Sequence, residues 1–134
     1  MKTLPKGLKI ALYLSTITGI AYGTMFLTLP IFTPSVLGWE MTDPGYRILG
    51  ASIIGIAIAT WLAARSNSWR EARIVVILQI AWPVLGSAGS LWGVTEQTLP
   101  NAAIANAVFG FAFAGVFLWY GLKLGFGKGR VTSG

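Results

Sequence analysis

Cysteine and histidine are both missing from this chain of 134 residues. Without cysteine there is no disulfide and no thiolate nucleophile. Without either residue, the usual ligands for zinc and for axial haem ligation are gone. No metal site and no cofactor are expected. Acidic residues are also scarce: Glu40, Asp43, Glu71 and Glu96 are the only four. Serine, threonine and tyrosine are present, but none has an evident general base beside it, so no catalytic residue is assigned and the reading leans away from an enzyme.

Long apolar runs, in contrast, dominate the sequence. Four can be traced, roughly 9–29, 46–64, 74–94 and 102–122. Each is about 20 residues long, which at about 1.5 Å per residue matches a hydrocarbon core of about 30 Å. The charges around them are sorted. Lys2, Lys6 and Lys9 precede the first run; Arg65, Arg70 and Arg73 lie between the second and third; Lys123, Lys128 and Arg130 follow the fourth. The other two links hold Glu40, Asp43 and Glu96, with Arg47 their only basic residue. Cytoplasmic loops are rich in Lys and Arg, so both termini are expected in the cytoplasm of a multi-pass cell-membrane protein. The expected fold is an all-α, four-helix transmembrane bundle made of two antiparallel helical hairpins, as a single domain over 1–134. The net charge of +6 is then explained by topology and by contact with anionic lipid, and no nucleic acid is expected as a partner.

Local signals refine the boundaries. The basic opening and apolar stretch of the first run resemble a signal peptide, but the run exceeds a typical h-region and no A-x-A site follows, so a retained span is expected. Pro30 and Pro34 end that run. The segment 30–43, with Ile31, Phe32, Val36, Leu37 and Trp39, reads as an interfacial piece. Trp39 and Tyr46 would be its headgroup anchors. Asp43-Pro44 suits a helix start. Ser68-Trp69-Arg70-Glu71 has the spacing of a capping box, and the short link before it makes the second and third helices antiparallel neighbours. Pro100 is placed to open the fourth helix, and the glycines at 125, 127 and 129 suggest a frayed tail.

Small residues recur at helix-packing intervals in every span. Gly19 and Gly23 form G-x-x-x-G in the first, extended by Ser15; Ala51, Gly55, Ala59 and Ala63 form a stripe in the second. Gly89 and Gly93 repeat the spacing in the third beside Gly86 and Ser90; Ala103, Ala107, Gly110 and Ala114 line one side of the fourth, and Phe109, Phe113 and Phe117 another. Lipid supplies no hydrophobic drive for helix association, so close backbone approach must hold spans together. These faces serve either the bundle itself or docking against other membrane helices, in a homo-oligomer or a larger complex.

Two amides lie at membrane depth, Gln79 and Asn106. Pro83 removes the hydrogen bond that would go to the Gln79 carbonyl, with Trp82 beside it. Gln79, Trp82, Pro83 and Asn106 are therefore candidates for a small polar site; the alternative is that the amides only stabilise the bundle. Arg47 either pairs locally with Glu40 and Asp43 or turns inward toward an anionic group.

No charge lies in the middle of any run. A central charge costs about 2.5–3.5 kcal/mol and is retained mainly for a pathway or relay. The embedded glutamate of small four-span multidrug exporters has no counterpart in the first run, where Tyr13, Ser15, Thr16, Thr18, Tyr22 and Thr24 are the polar groups. The TTFSTF-like stretch of small fluoride channels is also missing. The pattern Arg47-Ile-Leu-Gly50, Gly55, Trp61-Leu-Ala63, Ser68-Trp69 and Arg73 resembles DoxX-like four-helix membrane proteins. That resemblance implies a respiratory or redox-associated accessory role and carries no site residues. Three functions are thus expected in turn: a non-catalytic accessory or oligomer-forming subunit; a transporter or channel for a small neutral or lipophilic solute; a quinone-associated redox accessory.

Overall fold

The computed structural model describes residues 2–28, 43–99 and 101–126. Four helices account for nearly all of them: α1, Lys6–Thr28; α2, Asp43–Arg65; α3, Trp69–Thr95; and α4, Ala102–Leu124. All four are long and apolar enough to cross a membrane. The 23-residue helices are about 35 Å long and the 27-residue α3 about 40 Å. No strand is present among the described residues, and the chain has the all-α four-helix architecture of a small multi-pass membrane protein. Residues 30–42 of the expected interfacial segment, with Trp39 and Glu40, lie outside the described residues, as do Pro100, Lys128 and Arg130, and its last residue, Asp43, opens α2.

The helices pack as two hairpins, α1 against α2 and α3 against α4. In the first hairpin the contact is made through glycine. A Cβ on Gly50 would meet the Gly23 carbonyl oxygen and the Leu27 nitrogen, each at 2.7 Å. One on Gly19 would meet the Ala57 Cβ at 2.9 Å. Only hydrogen at these positions lets the two backbones come together, and the gain is van der Waals contact that lipid would not supply. Phe26 and Tyr46 close the same interface by stacking at 5.6 Å. Tyr46 is fully buried there, so it is an internal packing residue and not the headgroup anchor expected of it.

The two hairpins meet mainly at the end that carries the termini and the α2–α3 link. Leu8, Leu12, Ala64, Ala72, Val76 and Phe117 are almost completely buried in one apolar cluster, joined by Leu4, Ala63 and Trp69. The N-terminal residues clasp this end. Thr3 bridges antiparallel to Ser68, the Trp69 amide donates to the Lys2 carbonyl at 3.0 Å, and Lys2 Nζ donates to the Leu124 carbonyl at 2.7 Å. The last of these places a cation at the carbonyl end of α4, where the helix dipole favours it. Ser68 does occupy the N-cap position of α3, but its side chain makes no capping bond. Its extended backbone is committed to the bridge with Thr3, and the clasp satisfies the first orphan amide of α3 instead. Across the α3–α4 link, Gln97 takes a positive φ of 57°, and Thr98 and Leu99 both donate to the Gly93 carbonyl. Leu99 packs so closely on Gly93 that a Cβ there would lie 2.6 Å from its Cδ1.

Candidate functional site

Joined at one end, the hairpins part toward the other and leave a cleft of about 360 Å³. All four helices contribute to it. The stretch of α3 from Gln79 to Ser90 lines it over a rise of about 16 Å, around half the thickness of a hydrocarbon core. The walls are mostly apolar and partly aromatic, with Phe26, Ile53, Trp82, Phe109 and Phe113 among them. Phe109, Phe113 and Phe117 form a ladder along α4 with ring separations of 6.1 and 5.1 Å. No lining residue is charged.

Gln79 makes the floor. It is buried, and its Oε1 accepts from Ser15 Oγ at 2.9 Å while its Nε2 donates to Thr60 Oγ1 at 2.6 Å. Thr60 in turn donates to the Ile56 carbonyl at 2.7 Å. A single amide thus ties α3 to both helices of the other hairpin, immediately beneath the open volume. Higher up, two hydroxyls are spent on their own helices: Thr18 donates to the Leu14 carbonyl and Ser90 to the Gly86 carbonyl. Ser87 differs. It is only 3% exposed, lines the cleft, and makes no hydrogen bond with any described residue. Asn106, one turn of α4 before Gly110, also lines the cleft and is likewise without a partner among the described residues.

Of the polar candidates, then, Gln79, Trp82, Pro83 and Asn106 come together around one volume. Arg47 stands apart. Its Nη1 donates to the Leu27 carbonyl at 3.2 Å, at the carbonyl end of α1, where a cation is stabilised by the dipole. The packing candidates divide in a similar way. Gly19 and Gly23 face α2; Ala63, Ala107 and Ala114 are buried, and Gly110 lies against Ser87. Gly93 packs under the α3–α4 link. Ala51 and Gly55 are exposed, Ala59 is half-buried, and neither Gly55 nor Gly89 would bring an added Cβ within 4 Å of another group. The sequence reading missed Thr60 and Ser87 and took Ser15 only as a packing residue. The available signal was the depth of Ser15, which lies about as far along α1 as Gln79 does along α3.

The described residues contain no group of three or more Asp or Glu arranged to hold a metal ion. Compared with protein-family models, curated proteins and solved structures, the chain matches none of them.

Proposed function

We propose that this is a cell-membrane protein with both termini in the cytoplasm that binds a small lipophilic solute between its two hairpins, as the binding element of a carrier. The observation that carries this reading is the cleft: uncharged, lined from all four helices, and closed at one end by the Gln79 network. Ligand pockets are typically about 300–1,000 Å³, mainly apolar, with a few placed polar groups, and this one fits that description. With the basic end in the cytoplasm, the cleft faces the outer half of the bilayer, where a membrane-dissolved molecule enters without crossing water.

Gly86 supplies the test. It lines the cleft, and a Cβ there meets nothing within 4 Å, so Gly86→Phe has room at its Cβ to project a ring into the cleft and obstruct it. In lipid nanodiscs, a diazirine-bearing dodecane should label cleft segments of the wild-type protein and fail to label them in Gly86→Phe. Equal labelling of both proteins would remove the cleft from consideration.

A second reading, an accessory or oligomer-forming subunit, is favoured by the stripe Ala51, Gly55 and Ala59. It is the kind of small-residue surface on which membrane helices associate, and within one chain it is left largely uncovered. Native mass measurement in mild detergent tests it. A multimer or hetero-complex that Gly55→Leu dissociates supports the reading, and a monomer from native membranes contradicts it.

A further inference from the structure

We infer that the solute bound in the cleft is an uncharged lipid headed by a single hydroxyl or carbonyl oxygen, held by Ser87 and Asn106. This rests on the lipophile-binding reading above and adds the chemistry of the head and the residues that read it.

Ser87 is the central observation. Among the described residues every side-chain nitrogen or oxygen that is fully enclosed has a hydrogen-bond partner. Ser87 as a residue is 97% buried yet its side-chain oxygen has none, so that oxygen must touch the open space of the cleft it lines. A Cβ on Gly110 would fall on the Ser87 oxygen, which fixes the hydroxyl against α4 at the position where Gly110 leaves room. Asn106 sits one turn away on that same helix and supplies two further N–H donors and a carbonyl acceptor. A donor left unsatisfied in an apolar wall is unfavourable, and a ligand oxygen between Ser87 and Asn106 removes that penalty.

The rest of the cleft restricts what carries the oxygen. No Lys, Arg, Asp or Glu lines it, so nothing compensates a carboxylate, phosphate or ammonium at this depth. The Gln79, Ser15 and Thr60 side chains are already bonded to one another, which leaves the floor suited to an apolar body. The oxygen is therefore bound in the upper cleft, with the hydrocarbon running down past Phe109 and Phe113.

The test uses three diazirine probes of equal length, dodecane, dodecanol and dodecanoate, on the full chain in nanodiscs at a pH where the carboxylate is ionised. Dodecanol is expected to label cleft segments about tenfold more efficiently than either of the others. The double variant Ser87→Ala/Asn106→Leu should bring dodecanol down to the dodecane level and leave dodecane labelling unchanged, which also shows that the cleft is intact. If dodecane and dodecanol label alike and the double variant alters neither, the head-group inference is overturned while the lipophile-binding reading stands. Dodecanoate labelling as strong as dodecanol also overturns the inference. If no probe labels the cleft, both readings fall.

Discussion

Replacing Gln79 with leucine probes the contact that joins the two hairpins at mid-membrane. Leucine has nearly the same length, so packing is kept while two inter-helical hydrogen bonds are lost, from Ser15 at 2.9 Å and to Thr60 at 2.6 Å. Inter-helical bonds in membrane proteins average about 0.6 kcal/mol each and reach about 1.7. Penalties for stranded groups are small here. Thr60 retains its own bond to the Ile56 carbonyl, and the Ser15 hydroxyl can turn to the carbonyl four residues earlier in α1. The expected loss is about 1–2 kcal/mol, or roughly 5–30-fold in the ratio of folded to unfolded protein. Unfolding by SDS in mixed micelles, followed by tryptophan fluorescence, measures it. A double-mutant cycle with Ser15→Ala should give a coupling of about 0.6 kcal/mol. Unchanged or increased stability in Gln79→Leu, with coupling near zero, would refute the assignment of this amide as the inter-hairpin tie.

The same unfolding assay distinguishes glycines that look alike in sequence. Gly50→Ala drives a methyl group into the α1 backbone at 2.7 Å and should cost about 1–3 kcal/mol as overpacking. Gly55→Ala meets open space and should be neutral or stabilising by up to about 1 kcal/mol through helix propensity; reversal of that order would contradict the pairing of α1 with α2. At the basic end, Leu4→Ala should cost about 2 kcal/mol, because Leu4 belongs to the apolar cluster that joins the hairpins. No change on that substitution would show that the N-terminal clasp contributes nothing to stability.

Hydropathy made the four helices legible almost to their ends, because a long uncharged run has few alternatives to a membrane span. The sequence showed less about which face of each helix is used. In α2, both Gly50–Ala57 and Ala51–Gly55–Ala59 are small-residue faces, and they differ by a rotation of about 150°. Only the first meets α1. Composition cannot separate two such faces, since the choice depends on what the neighbouring helix presents. Tyr46 shows the same limit: an aromatic near a helix end reads as an interfacial anchor, yet Phe26 is placed to stack on it. The candidate site was legible in outline through Gln79, Pro83 and Asn106. Ser87 was hidden, because a serine on a helix commonly bonds to its own backbone, as Ser90 does, and only the fold shows that Ser87 does not.

A cleft open to the outer half of the bilayer requires both hairpins to enter the membrane with their basic end in the cytoplasm. The chain has no cysteine, so single cysteines at Asn67 and Glu96 can each be labelled alone in intact cells with a membrane-impermeant maleimide. Glu96→Cys should react from outside, and Asn67→Cys only after the membrane is permeabilised. Labelling of both from the same side would contradict the four-span arrangement and, with it, the cleft.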